Sequence, residues 1–133
     1  MLGAIDVETG KVSHAISGAG LDRQILEQHP VSGKSFAGFQ VPHWDEIKKL
    51  AAQGHELFPE FGVFGWDIAV GEDGPVIIEC NANPFHTLYQ LAHDRGINND
   101  DFAPVFDKVE TRGKGLVKAR LAQYKKMRKE ERA

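Results

Sequence analysis

The chain has 133 residues, the size of one domain with a core large enough to fold alone. Its composition is that of a globular protein, with 41% hydrophobic and 26% charged residues and a formal net charge of −3. A single cysteine excludes an internal disulfide or a cysteine-rich zinc site, and the short apolar runs exclude a membrane span, so we expect a cytoplasmic protein.

Charge is unevenly distributed along the chain. Residues 1–110 hold 7 basic and 17 acidic residues, whereas residues 111–133 hold 9 basic and 2 acidic ones. An acidic body therefore precedes a basic tail. A charge block of this kind is either a solvated helix face or a surface for an oppositely charged partner.

The first half of the chain predicts a hairpin, a long loop and a helix. Residues 1–16 contain two short apolar runs around the turn signal Thr9-Gly10, which is typical of a β-hairpin. Residues 17–40 are rich in glycine and serine, and a connection of that length is usually functional or mobile. Pro42 then begins a helix of about four turns that ends before Pro59. One face of this helix carries the apolar residues that we expect to pack on the core: Ile47, Leu50, Ala51, Gly54, Leu57 and Phe58.

The second half predicts another hairpin and two helices. Two apolar runs, residues 61–70 and 75–80, flank G-E-D-G and are typical of a hairpin with a short loop. Residues 85–97 predict a short helix, and from residue 113 a narrow apolar stripe marks a basic helix that frays at its end. Together the elements indicate an α+β protein with an antiparallel sheet and helices packed on one face.

Acidic side chains fall on one face of the second hairpin, because side chains alternate along a strand. If the turn centres near Asp73, paired residue numbers sum to about 146, which places Asp67 opposite Glu79. Asn81 then shares that face, together with Ile77. The opposite face of the second strand is expected to carry Val76, Ile78 and a buried Cys80.

Two opposed carboxylates destabilise an apolar hairpin unless something neutralises them. One interpretation is a pair of solvated acids, with one of them protonated or paired with a lysine. The other is a hard-cation site, because the oxygen ligands Asp67, Glu79 and Asn81 favour Mg²⁺ or Mn²⁺ over zinc. Since Mg²⁺ completes its octahedron with water and substrate phosphates, the metal interpretation predicts a bound nucleotide.

The run G-W-D-I-A-V, a D-G turn and P-V-I-I-E-C-N-A-N-P together resemble the signature that ends the ATP-grasp fold. The span from H-P-V-S-G-K-S-F-A-G-F-Q-V-P-H-W through F-P-E-F-G-V-F-G-W-D resembles the sugar-transfer-associated ATP-grasp group, also described as alpha-L-glutamate-ligase-related. The resemblance covers roughly residues 3–92. It implies the C-terminal subdomain of that fold over residues 1–112, followed by a basic helix over residues 113–133.

The resemblance implies an ATP-dependent ligase that joins a carboxylate to an amine or another nucleophile through an acylphosphate, in polysaccharide-related metabolism. Asp67 would hold one Mg²⁺ (or Mn²⁺), Glu79 would bridge two ions, and Asn81 would complete the second site beside ATP. No residue is singled out as catalytic, and both substrates stay open. Residues of the glycine-rich loop and of the segment after E-C-N are candidates for phosphate or substrate contacts, with surface, loop or capping roles as the alternative: Arg23, His29, Lys34, Asn83, His86 and Gln90.

An ATP-grasp site lies between two subdomains, and the resemblance assigns the adenine-reading hinge and phosphate-binding lysines to an N-terminal half outside these 133 residues. We therefore expect weak nucleotide binding and no turnover from this chain alone. The partner would be a missing N-terminal half or a second copy of the chain.

The alternative function is a non-enzymatic interaction module whose basic helix binds an acidic partner, a membrane surface or nucleic acid. Nucleic acid is the less favoured partner, because only Tyr124 supplies the aromatic interleaving of a single-strand binder. The helix would otherwise pack its stripe of Leu116, Leu121 and Tyr124 on the body or on a second copy.

Overall fold

The computed structural model describes residues 1–18 and 20–131, so Ala19 and the last two residues of the predicted basic helix, Arg132 and Ala133, lie outside the described residues. Its elements follow in chain order: β1 (Leu2–Ile5), β2 (Lys11–Ser17), β3 (Gln24–Leu26), β4 (Phe39–Gln40), α1 (Trp44–Glu56), β5 (Gly65–Gly71), β6 (Gly74–Asn81), α2 (Thr87–His93) and α3 (Ala103–Glu130). The strands form two antiparallel sheets, β1–β4 and β5–β6. The α+β class with antiparallel strands is therefore confirmed, with two sheets in place of the expected one.

The first sheet is built around β2. β1 pairs along one edge of β2, while β3 and β4 pair with the two ends of the other edge. The β1–β2 turn is closed by Asp6, whose carboxylate accepts hydrogen bonds from the Thr9 backbone N–H at 2.7 Å and the Thr9 hydroxyl at 2.6 Å. The Trp44 indole N–H donates to the Val7 carbonyl at 2.8 Å and so ties α1 to this turn. The hairpin predicted over residues 1–16 is confirmed.

The segment 17–40 contains more structure than the predicted loop. It includes a 3₁₀ turn (Gly20–Asp22), the strands β3 and β4, and a tight loop at residues 28–35. In the tight loop the Gly33 N–H donates to the His29 carbonyl, and the His29 N–H donates to the Lys34 carbonyl, each at 2.8 Å. Strands of three and two residues are too short to leave a periodic pattern, which is why the sequence indicated a loop.

α1 is shorter at both ends than the sequence predicted. It begins at Trp44 and not at Pro42, because His43 adopts a left-handed backbone conformation with φ of 55°. It ends before Leu57 and Phe58, which therefore leave the predicted core-packing face, and both side chains are exposed.

The helices α1 and α2 each cover a different sheet. α2 packs on β1 and β2, and the helix predicted within residues 85–97 is thereby confirmed. α1 packs on β6, and its Gly54 lies against the ring of Trp66. The buried apolar residues lie in the first sheet and α2: Ala4, Val12, Ala15, Ile16 and Ala92.

α3 is a helix of 28 residues, about 42 Å long, that begins upstream of the predicted position 113. Its first turns pack on the body, with the Phe106 ring 5.8 Å from that of His86 and Val109 against Gly62. Further along, Leu116, Leu121 and Tyr124 are exposed, so the alternative in which they pack on the body is wrong. Within residues 1–18 and 20–131, no helix has both the length and the apolar character needed to cross a bilayer.

Candidate metal and nucleotide site

The hairpin of β5 and β6 brings two carboxylates together. Asp67 pairs directly with Glu79, and this predicted pairing is confirmed. Directly opposed residues of an antiparallel pair project to the same face, with Cβ atoms roughly 4.5–5.5 Å apart. Asn81 pairs with Gly65, two residues further along on the same face. The three side chains predicted to hold a metal therefore line one face of the hairpin.

A β-bulge interrupts the hairpin immediately beside Asp67. The next pair along the strands is Ile68 with Ile77, which leaves Ile78 as an extra residue of β6. Bulges of this kind re-aim side chains and are frequent next to active sites. Because the register shifts by one residue, the prediction that Ile77 shares the face of the carboxylates is wrong.

The bulge also leaves apolar side chains exposed. Val76 pairs with Ala69, which shares the face of Asp67, and Val76 is 60% exposed. Ile78 is 68% exposed, and Cys80 is exposed as well, so the expected burial of Cys80 is wrong. We call the side of the hairpin that holds the two acids the carboxylate face; it carries Asp67, Ala69, Val76, Glu79 and Asn81.

No protein cation neutralises the two carboxylates in the part of the chain that the structure describes. Neither Asp67 nor Glu79 has a lysine, arginine or histidine nitrogen within 4.0 Å, and both side chains are exposed. This arrangement disfavours the interpretation that a lysine pairs with one of them. Over the same residues no three His, Cys, Asp or Glu side chains form a metal-binding group, so the candidate site consists of two carboxylates and the Asn81 amide.

The segment of residues 82–86, which we call the motif loop, folds back on β5. A Cβ at Gly65 would come within 2.7 Å of the Pro84 Cβ and 3.7 Å of the Asn81 Cβ. The missing side chain at Gly65 therefore lets the motif loop pack on the start of β5. This contact positions the end of β6 that carries Asn81.

Arg23 and Gln90 both make contacts within the protein, although the buried Arg23 Nε has no hydrogen-bond partner among the described residues. The Arg23 guanidinium pairs with Asp94 at 3.3 Å, and its Nη2 donates to the Leu91 carbonyl at 3.4 Å. The Gln90 Oε1 accepts a hydrogen bond from the Ile97 backbone N–H at 3.1 Å. Both side chains therefore stabilise the C-terminal end of α2.

His29 and Lys34 lie in the tight loop at residues 28–35. The His29 Nδ1 accepts hydrogen bonds from the backbone N–H groups of Ser32 at 3.1 Å and Val31 at 3.3 Å, so this imidazole stabilises its own loop. The Lys34 side chain is exposed. Its role as a phosphate contact stays a prediction.

An apolar cavity of about 480 Å³ lies behind the hairpin. Its wall includes Trp66, which projects away from the carboxylate face, and Pro84 and His86 of the motif loop. Asn83 of the same loop is exposed. No sequence pattern indicates this cavity, because its wall is assembled from segments between Ala51 and Phe106 that only the tertiary fold brings together.

A family model described as sugar-transfer associated ATP-grasp matches residues 1–103 of the chain. The matched span includes the β5–β6 hairpin, the motif loop and α2, and it ends where α3 begins. Curated proteins and solved structures give no significant match. Because the family model covers more than half of the residues, the resemblance in the sequence is confirmed, and the chain belongs to the sugar-transfer-associated ATP-grasp family.

Proposed function

We propose that this chain binds Mg²⁺–ATP on the carboxylate face and supplies the metal-holding part of an ATP-dependent ligase. Membership of the ATP-grasp family supports ligase-type chemistry in general. The observation that carries the proposal is the direct pairing of Asp67 with Glu79 on an exposed face, without a cationic partner among residues 1–18 and 20–131. Two opposed carboxylates of this kind favour a cation bound from solution.

The donor set fits Mg²⁺ or Mn²⁺, since all three side chains offer oxygen. In the proposal Asp67 holds one ion, Glu79 bridges two, and Asn81 completes the second site. The neutral amide of Asn81 avoids a third negative charge beside the pair. The bound ions would neutralise phosphate oxygens where charge redistributes during phosphoryl transfer.

Exposed apolar side chains beside the carboxylates suit the base of a nucleotide. Val76 pairs with a residue of the carboxylate face, and Ile78 directly precedes Glu79 in the chain. Covering such side chains contributes about 25 cal/mol for each Å² of apolar surface removed from water. We propose that Val76 and Ile78 contact the base while the carboxylates hold the phosphate end through metal.

The proposed reaction activates a substrate carboxylate, which attacks the γ-phosphate of ATP to give an acylphosphate and ADP. An amine or another nucleophile then attacks the acyl carbon and releases phosphate. The family description suggests a substrate of polysaccharide-related metabolism. Because Asp67, Val76 and Glu79 are open to solvent, we propose that this chain alone binds the nucleotide weakly and does not turn over. An ATP-grasp N-terminal half or a second copy would cover the face.

Isothermal titration calorimetry of the full chain with Mg²⁺–ATP tests this function. We expect weak binding that Glu79→Ala abolishes and that the omission of Mg²⁺ also abolishes. The matched control is Glu72→Ala, which removes a carboxylate from the turn of the same hairpin and should retain binding. Micromolar binding that persists in Glu79→Ala or without Mg²⁺ would contradict the proposal.

A further inference from the structure

The second half of α3 presents apolar side chains to solvent. Five of them are between 42% and 60% exposed and form what we call the α3 stripe: Leu116, Val117, Leu121, Tyr124 and Met127. At 3.6 residues per turn these positions fall within an arc of about 140°. The arc includes the side of the helix on which Phe106 and Val109 contact the body, so the stripe continues a packed face beyond the body.

A row of lysines borders the stripe next to Leu121. Its members share an arc of about 60° and are Lys114, Lys118, Lys125 and Lys129. No acidic residue occurs between residues 111 and 129. Within the described chain, Lys114 pairs with Glu110 at 2.7 Å, whereas the other three have no carboxylate within 4.0 Å. Lys118, Lys125 and Lys129 therefore carry positive charge that no carboxylate of the described residues neutralises.

Two arginines interrupt the stripe. Arg120 pairs with Glu60 of the body at 3.6 Å, and the Arg128 guanidinium lies 6.0 Å from the centre of the Tyr124 ring. Long basic side chains can bury their aliphatic stems along apolar surface while the charged end stays in water. Both arginines are therefore compatible with a boundary between an apolar layer and water.

We propose that the α3 stripe and the lysine row dock on an anionic lipid surface. A helix with an apolar face beside a basic face lies in the plane of a bilayer interface, with its lysines close to anionic head groups. A bilayer offers both an apolar layer for Leu116, Val117 and Leu121 and negative charge for the lysines. Nucleic acid offers phosphates without such a layer. Antiparallel pairing of α3 with a second copy would bring two lysine rows of like charge together.

Co-sedimentation of the full chain with vesicles tests the charge requirement. We expect binding to vesicles of equal parts phosphatidylcholine and phosphatidylserine, weakened by added salt, and no binding to phosphatidylcholine alone. Lys118→Gln/Lys125→Gln should lower the partition coefficient about thirtyfold, because each lysine near an anionic surface contributes about 1 kcal/mol. The control Lys49→Gln/Lys108→Gln removes equal charge from exposed sites outside the row and should change binding by less than about twofold.

A second pair of variants tests the apolar requirement. Val117→Gln/Leu121→Gln should abolish vesicle binding, whereas Val31→Gln/Leu57→Gln removes two exposed apolar side chains elsewhere and should retain it. Circular dichroism shows whether each variant keeps the helix. Equal binding to neutral vesicles, or binding that survives Val117→Gln/Leu121→Gln, would overturn the proposal.

Two further outcomes would show that α3 binds a partner other than a lipid surface. Retention on single-stranded RNA in preference to anionic vesicles, lost in the lysine variant and kept in the Val117→Gln/Leu121→Gln variant, would assign α3 to nucleic acid. A dimer in sedimentation velocity that requires Val117 and Leu121, without vesicle binding, would assign the stripe to a second copy. The proposal does not depend on ATP binding, so its outcome is independent of the calorimetric result for Glu79.

Discussion

Gly65 lies so close to Pro84 that a side chain at residue 65 would not fit: the Cβ that Gly65 lacks would lie 2.7 Å from the Pro84 Cβ. Gly65→Ala should therefore push the motif loop away from β5 and displace Asn81, which pairs with residue 65. We expect a loss of about 1–3 kcal/mol in the free energy of unfolding, as for overpacking in general, and weaker binding of Mg²⁺–ATP. Urea unfolding and calorimetry measure the two effects.

Gly71→Ala is the matched control for this substitution, since it lies on the same strand and its Cβ would meet the Gly74 carbonyl oxygen at 3.8 Å, an ordinary contact. It should leave nucleotide binding unchanged. If Gly65→Ala and Gly71→Ala cost the same stability, the contact with Pro84 is not what holds the motif loop.

Asp67→Asn should stabilise the metal-free chain and remove its response to Mg²⁺–ATP. Like charges directly opposed on an antiparallel pair destabilise it, with pair energies of about 0.2–1 kcal/mol, so neutralising one carboxylate opposite Glu79 relieves that cost. A ligand that binds the folded state raises the melting temperature by mass action. In thermal melts, added Mg²⁺–ATP should raise the melting temperature of the natural chain and not that of Asp67→Asn.

Asp73→Asn removes a carboxylate from the hairpin turn, outside the opposed pair, and should change neither melting temperature. A metal-free Asp67→Asn chain that melts below the natural one would show that Asp67 makes favourable contacts in the absence of a cation. That result would contradict the repulsion between Asp67 and Glu79 from which the metal site is proposed.

Gly62, in the segment before β5, packs against Val109 of α3, and a Cβ on Gly62 would overlap both methyl groups of Val109. Gly62→Ala should cost about 1–3 kcal/mol of unfolding free energy. Val109→Ala makes room for the added methyl, so the double variant should be more stable than the sum of the single costs predicts, by about 0.5–3 kcal/mol. Urea unfolding of the four chains gives the coupling energy.

Val117→Ala provides the comparison, because Val117 is an exposed residue of the same helix and does not line the cavity that Gly62 lines. Its effect should add to that of Gly62→Ala within about 0.5 kcal/mol. Simple additivity for the Val109 pair as well would mean that α3 does not pack on Gly62.

The hydrogen bonds between Asp6 and Thr9 make the free energy of unfolding depend on pH in the acid range. The hydrogen bond from the Thr9 hydroxyl, together with that from the Thr9 backbone N–H, holds the pKa of Asp6 below its ordinary value of 3.8. The unfolded chain binds this proton more readily, so the stabilisation is present above pH 3.8 and is lost as pH falls through the lowered pKa of the folded state. Thr9→Val should raise the pKa of Asp6 and flatten this acid dependence.

NMR titration of the Asp6 carboxyl measures that pKa, and urea unfolding across the acid range measures the dependence. Thr111→Val removes an exposed hydroxyl from α3 and should leave the titration of Asp6 as it is. An unchanged Asp6 titration in Thr9→Val would refute the role of the hydroxyl.

The pairing of Asp67 with Glu79 was predictable because two irregularities compensate. The turn places Gly71 opposite Gly74, one position away from the predicted register, and the extra residue Ile78 restores it before Asp67 is reached. A hairpin turn leaves a glycine signal in the sequence, whereas no residue type marks this bulge. The exposure of Val76 therefore could not be predicted.

The roles of the loop candidates could not be predicted for a different reason. A basic or amide side chain gives the same signal whether it binds a phosphate or a backbone group of its own protein. Arg23 donates to the Leu91 carbonyl, His29 accepts from Ser32, and Gln90 accepts from Ile97. Only the tertiary structure identifies such partners.

The bulge in β6 has a consequence for how compact a nucleotide site can be. In a regular strand, neighbouring side chains point to opposite faces, so an apolar residue and the acidic residue that follows it lie on different faces of the sheet. Here Ile78 and Glu79 are consecutive and both exposed. In the proposed site, this one dipeptide would supply both an apolar contact for the base and a ligand for the cation at the phosphate end of the same molecule.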